Sequence, residues 1–205
     1  MSLRYALLAL LTAEPLTGYD AAKRFSGSVG HVWHAPDSQI YPELRRMEQA
    51  GLIDGKQVPW GPRSTKKQYS ITDLGIEAFR EWMCTPIEYT PARNVHHLQA
   101  AYFEWTDTEH ARAHLQNHID YYTAQLAQWK IIHRSILDRT NPTMVKRTEK
   151  YPAEQHEHIV AFKAFAYEGM ISLAQTEIDW AQKGLSLLDR IASSDVFYTT
   201  EPTGQ

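Results

Sequence analysis

Cysteine is nearly absent. Cys84 is the single thiol in 205 residues, so no internal disulfide can form, which fits a reducing cytoplasm. Long apolar runs are missing as well. The longest near the N-terminus, Tyr5 to Leu11, is followed by Glu14 and Pro15, too short to span a bilayer and lacking a small-residue cleavage site. There is no excess of basic charge: the formal net charge is -3, so bulk composition does not advertise a nucleic-acid partner. Motifs of catalysis are missing too. No Gly-rich phosphate loop, Gly-x-Ser-x-Gly elbow, paired-cysteine knuckle or His-Glu-x-x-His string occurs, and Cys84 has no cation cluster beside it to activate it. The expectation is a non-enzymatic cytoplasmic protein that needs no cofactor.

What is present is unevenly distributed. Residues 1–85 hold ten Lys/Arg and nine Asp/Glu, a net +1; residues 86–205 hold eleven and fifteen, a net −4. Seven of the ten glycines lie at or before Gly75. Short elements with turns therefore precede long, breaker-poor segments. The proline-flanked stretch from Thr85 to Pro91 is the boundary, dividing the chain into 1–88 and 92–195, with a mobile tail at 196–205.

In the first part, apolar spacing predicts a helix from Leu3 to Ala13, ended by Pro15. A second runs from a Thr17 cap to Phe25, with Asp20 near its positive end. Gly27, Gly30 and Pro36 mark a loop. Asp37 and Ser38 are candidate caps for a third helix, Gln39 to Ala50, with Ile40, Leu44 and Met47 inward, Pro42 in its first turn and Gly51 as its stop. The period then changes to two. Leu52–Val58 and Lys66–Ile71 read as strands around a tip at Pro59–Thr65, and Thr72 caps a fourth helix from Asp73. The order is that of a winged helix-turn-helix, whose third helix enters the major groove and whose hairpin touches the flanking backbone. Ser38, Gln39 and Tyr41 near the start of that helix are the candidate base readers, since Gln can pair bidentately with adenine. Arg45, Arg46, Arg63, Lys66 and Lys67 are the candidate phosphate contacts. The plainer alternatives are a solvated basic turn, surface pairing of the arginines with Glu43, Glu48 or Gln49, and a core role for Tyr41.

Several strings here resemble the PadR family of bacterial transcription regulators. They are Leu8-Ala9-Leu10-Leu11 before Pro15, Leu16-Thr17-Gly18-Tyr19-Asp20 through Phe25, Gln39-Ile40-Tyr41-Pro42-Glu43-Leu44 through Gly51-Leu52-Ile53, and Lys67-Gln68-Tyr69-Ser70-Ile71-Thr72-Asp73-Leu74-Gly75. Met47 stands where the family usually has Leu. The resemblance covers about the first 85 residues and implies a homodimeric repressor in which Tyr41 contacts DNA. For the rest of the chain it implies a Vir-like helical dimerisation domain and release from DNA by a small aromatic or drug-like effector.

In the second part, Asn94–Trp105 reads as a short helix and Asp107 or Thr108 as the cap of the next. From there to Arg139 no proline or glycine occurs, and Leu115, Ile119, Tyr122, Leu126, Trp129, His133 and Ile136 alternate spacings of four and three. A helix from about Ala153 to Ser193 carries a similar stripe: Ile159, Phe162, Ala166, Met170, Leu173, Glu177, Trp180, Gly184, Leu187 and Ile191. A seam about 60 Å long exceeds what one small domain buries, and a second copy is the expected partner. The expected fold class is thus mainly α with a small β-hairpin wing: an N-terminal winged helix-turn-helix plus a C-terminal long-helix dimerisation domain. Its partners are double-stranded operator DNA, a second copy of itself and a small aromatic effector, with no membrane. Trp105, Trp129, Phe162 and Trp180 are the effector-site candidates, with core packing as the alternative. His110, His114 and His118, four apart, are weak metal candidates; a solvated face is the expected role. A metal-responsive regulator on that stripe, and a winged-helix interaction scaffold that never meets DNA, are the competing readings.

Overall fold

The computed structural model describes residues 2–27, 35–60, 63–89 and 93–193. Gly30, the tip residues Gly61 and Pro62, and the expected tail at 196–205 lie outside them. The chain forms two compact units, 1–88 with 141–157, and 89–140 with 158–205. The segment 141–157 thus joins the first unit, although it follows the long helix that the sequence groups with the C-terminal part.

In the first unit the elements are α1 (Ser2–Leu11), β1 (Leu16–Thr17), α2 (Gly18–Gly27), α3 (Asp37–Gln49), β2 (Ile53–Trp60), β3 (Ser64–Ile71) and α4 (Asp73–Cys84). The three strands are antiparallel in the order β1-β3-β2. β1 was not anticipated: two residues show no period, and Leu16 and Thr17 become a strand only by pairing with Tyr69 and Gln68. The core consists of Leu7, Leu8, Leu11, Phe25, Ile40, Leu44, Met47 and Ile53, all almost wholly buried. The expected inward stripe of α3 is therefore its buried face.

Thr17 caps α2, accepting from the Asp20 amide at 3.2 Å while its hydroxyl donates to the Asp20 carboxylate. Thr72 caps α4, accepting from Gly75 N at 3.1 Å. Gly75 has to be glycine, because a Cβ there would lie 2.1 Å from the Leu52 carbonyl oxygen. α3 begins earlier than expected. Its N-cap is Pro36, with no side-chain cap, because the proline already holds an extended φ and its carbonyl accepts from Gln39 N. Pro42 is therefore the sixth helical residue, beyond the first turn, and the bond its missing N–H would make to the Ser38 carbonyl is forgone.

A helix that the sequence did not announce, α7 (Pro142–Thr148), belongs to the same unit. The Asn141 side chain caps it, accepting from the amides of Thr143 and Met144. Arg147 of α7 donates through Nη2 to the Ala9 carbonyl at 2.6 Å and the Thr12 hydroxyl at 3.0 Å. Burial lowers its guanidinium pKa.

The second unit contains α5 (Val95–Ala100), a 3₁₀ turn (Phe103–Trp105), α6 (Thr108–Leu137) and most of α8 (Ala153–Ala192). The expected single helix 94–105 is broken at Tyr102, whose φ of -131° leaves the helical region. Asp107 caps α6 as expected, accepting from His110 N at 2.8 Å. On α6 the expected stripe is largely buried: Leu115, Leu126, Trp129 and Ile136 all face inward. On α8 the expected stripe packs within the chain only in part, at Glu177, Trp180 and Gly184. The buried positions are Val160, Ala164, Tyr167, Ala174, Glu177, Ile178, Ala181 and Leu188, most of them shifted by about one residue. Phe162, Leu173 and Leu187 of the expected stripe are largely exposed. Two adjacent apolar stripes run along α8, and small residues decide which one α6 covers. Ala111 and Leu115 meet Ala181 and Leu188, and a Cβ at Gly184 would approach Leu115 to 2.9 Å.

Candidate nucleic-acid interface

The outer face of α3 follows from its inner one. With Ile40, Leu44 and Met47 buried, Ser38, Gln39, Tyr41, Arg45 and Arg46 turn to solvent. The Tyr41 ring is 41% exposed and so is not a core tyrosine. It leans on Gly18 at the start of α2, where an added Cβ would come within 2.7 Å of Tyr41 Cε1. That contact joins the recognition helix to α2, and Tyr19 continues the surface outward.

The wing completes the surface, and its register sorts the basic residues. Val58 pairs with Lys66, Gln57 with Lys67 and Trp60 with Ser64. Side chains alternate faces along a strand, so Lys66 and Lys67 point to opposite sides of the hairpin. Lys66 shares its face with Lys56, Val58 and Trp60. Its ammonium lies 3.0 Å from the Trp60 ring centroid and 5.3 Å from that of Tyr19. Lys67 turns toward α3 and pairs with Glu48 at 2.6 Å. The hydrogen bond to that carboxylate raises its pKa. Lys67 braces the wing against α3 and meets a phosphate only by leaving Glu48.

The arginines divide in the same way. Arg46 pairs with Glu43 at 3.2 Å, and Glu43 also takes Arg4 at 3.1 Å; the expected surface pairing is thus realised for Arg46. Arg45 and Arg63 are exposed, and among the described residues no carboxylate pairs with either. Arg45, Arg63 and Lys66 are consequently the cations with charge to offer. Tyr19, Lys56 and the contact at Gly18 were not among the expected site residues. Lys56 is recognisable only once the register places it on the Lys66 face, and Tyr19 only once α2 packs beside the wing.

In the second unit, the candidate effector rings do not converge. Trp105 and Phe162 are about three-quarters exposed, whereas Trp129 is buried with its indole N–H unpaired among the described residues. Trp180 borders a cavity with His96, Gln99, Phe103, His114, Leu115 and His118. That cavity is about 10 Å³, room for about one water and too small for an aromatic ring.

The histidine stripe is not a single solvated face. Steps of four residues drift by about 40° each on a helix, so His110, His114 and His118 fan out. His110 bonds its own cap, Asp107, at 2.7 Å. His114 is exposed, whereas His118 is 4% exposed and meets Glu177 Oε2 at 3.0 Å. The same oxygen lies 3.4 Å from His97 Nε2. Glu177 is thus held by histidines and does not face an open pocket. Among the described residues no group of three His, Cys, Asp or Glu is arranged to hold a metal ion.

A buried three-helix core, a polar recognition helix and a sheet whose wing carries unpaired cations on the same side define a winged helix-turn-helix of the DNA-binding type. Residues 7–81 match the transcriptional regulator PadR-like family. The negative transcriptional regulator PadR of Bacillus subtilis is 38% identical over 81 residues, 40% of this chain and 44% of that protein. The match thus spans less than half of that relative's length. The structure of Bacillus subtilis PadR in complex with operator DNA aligns with a TM-score of 0.70 at 24% identity, covering 92% of this chain and all of that one. The same protein in complex with p-coumaric acid aligns at a TM-score of 0.65 and 23% identity, covering 91% of this chain and 95% of that one. At these identities the structural likeness defines the fold.

Proposed function

We propose that this chain is a non-enzymatic DNA-binding transcriptional regulator, a homodimeric repressor of a pseudo-palindromic operator that a small molecule releases. The observation that carries this reading is the continuous surface Tyr41–Gly18–Tyr19–Lys66–Trp60, which joins the recognition helix to the wing with Arg45 and Arg63 unpaired beside it. Ser38, Gln39 and Tyr41 meet base edges or adjacent phosphates. Arg45, Arg63 and Lys66 anchor phosphates; Arg46 and Lys67, paired with Glu43 and Glu48, brace the surface that presents them. A weakly basic reading domain binds modestly alone, and a dimer doubles its contacts. The exposed Phe162, Leu173 and Leu187 stripe of α8 is the surface we assign to the second copy, in a domain drawn from 92–195 outside the segment 141–157; residues 1–88, joined by that segment, form the reading domain. The related protein solved with p-coumaric acid supports an aromatic effector. No helix among the described residues is long and apolar enough to cross a membrane.

Genomic footprinting with the purified protein tests the reading. Protected sites with two-fold symmetry, and affinity falling by orders of magnitude between about 50 and 200 mM salt, are the expected result. Flat, weak binding to every duplex would favour the scaffold.

A further inference from the structure

Trp60 ends β2 with 52% of its surface exposed. A single exposed indole needs no explanation; an ammonium seated on its face does. Trp60 pairs with Ser64 and Val58 with Lys66, so Trp60 and Lys66 are diagonal neighbours on one face of the hairpin, within reach of an aromatic and a long side chain. Lys66 Nζ lies 3.0 Å from the indole centroid, with the Tyr19 ring 5.3 Å away on another element. The neighbouring cations Lys67 and Arg46 are paired with Glu48 and Glu43. Among the described residues no carboxylate pairs with Lys66. Its charge is held by ring faces without being neutralised, and the ammonium keeps donors for an outside acceptor.

Lysine ordinarily keeps many rotamers, and ordering them opposes binding. A ring that holds the ammonium beforehand removes that cost. We propose that Trp60 is a positioning residue for DNA binding: it presents the Lys66 ammonium, already in place, to a backbone phosphate beside the site read by α3. This inference rests on the DNA-binding function proposed above. Because a phosphate is the same on every base pair, Trp60 raises affinity on all sequences alike and carries no base preference.

The test uses the full chain and a duplex that the unaltered protein selects from a random pool, titrated at several salt concentrations. Trp60→Ala is expected to weaken binding about two- to fivefold per wing, the range of an exposed cation–π contact. It should also flatten the slope of log affinity against log salt toward that of Lys66→Gln, which loses about 0.9 per phosphate contact. Trp60→Phe keeps a ring face and should restore most of both, and Trp60→Ala in the Lys66→Gln background should cost nothing further. A Trp60→Ala protein with full affinity overturns the proposal. So does one with lowered affinity but an unchanged salt slope, since Trp60 would then touch DNA itself. If the unaltered protein selects no duplex, the DNA-binding reading falls and takes this inference with it; unfolding midpoints of all variants within a few degrees keep these outcomes distinct from misfolding.

Discussion

Replacing Gly18 with alanine should separate the position of Tyr41 from the stability of the fold. A Cβ at residue 18 would sit 2.7 Å from Tyr41 Cε1 and 3.1 Å from Cδ1. Both are atoms of a partly exposed side chain, so the ring gives way and the backbone stays. Gly18 does not adopt a positive φ, and alanine opens a helix there without strain. Fewer unfolded conformations then stabilise the protein by about 0.4–1 kcal/mol. Moving the Tyr41 ring off its rotamer costs about 0.5–1.5 kcal/mol. The two nearly cancel, and a net change within about 1 kcal/mol shifts Tm by no more than about 2–4 °C at this size. Binding has no such compensation. A ring tilted away from the groove loses its contact, and a loss of about 1.4 kcal/mol per site is tenfold in Kd. Thermal unfolding and fluorescence-anisotropy titration of the selected duplex, run on the same preparations, measure both. Unchanged affinity at unchanged Tm would refute the placement of Tyr41 in the interface; a Tm lowered by about 8 °C or more would show that Gly18 serves the core.

Lys66→Ala should weaken binding to every duplex and flatten the salt slope by about 0.9 per wing. Lys67→Ala, whose partner is Glu48, should leave the slope intact and affinity within about twofold; equal slopes for the two variants would contradict the opposite faces. Gly75→Ala drives a Cβ into a backbone carbonyl that cannot rotate away; a loss of about 2 kcal/mol or more is expected in urea unfolding, and a stability equal to that of the parent would show the approach to be looser than described. Partnership with Asp107 raises the His110 pKa above the usual 6.5 and lowers that of Asp107 below 3.8. The His110 contribution is therefore complete below about pH 6.5 and lost as pH rises through the raised value, whereas that of Asp107 is lost only as pH falls through its lowered one. His110→Gln should thus lose stability relative to the parent at about pH 5.5 and match it at about pH 9; a difference growing toward high pH would reverse the assigned sign.

Much of the candidate site was legible because its signals are local. Ile40, Leu44 and Met47 lie on one helical stripe, which requires Gln39, Tyr41 and Arg45 to face outward whatever else packs nearby. The caps at Thr17, Thr72 and Asp107 depend on residues three positions away, and all three form. The resemblance in the first 85 residues added the class of partner, which no single charge carries. Other features were not legible because their cause lies far along the chain. The basic tip at Lys66 and Lys67 reads as one cluster in sequence; it becomes two opposed faces only when register pairs Val58 with Lys66 and Gln57 with Lys67. Tyr19 joins the surface from another element, and Glu48 claims Lys67 from 19 residues away.

The sequence by itself determined most of the elements and their order: three short helices, a two-residue period with a turn, a fourth helix capped by Thr72, and then two long helices without proline in their interiors. Backbone propensity, capping and periodicity act over a few residues, and the chain states them directly. Tertiary structure alone decided which of two apolar stripes on α8 meets α6, that His118 is buried against Glu177 while His114 is not, and that residues 141–157 join the first unit through Arg147. In each case adjacent positions have nearly equal local preferences. The outcome turns on which surface lies opposite: small residues such as Gly184 and Ala181 admit a close approach, and a buried carboxylate or carbonyl needs a donor.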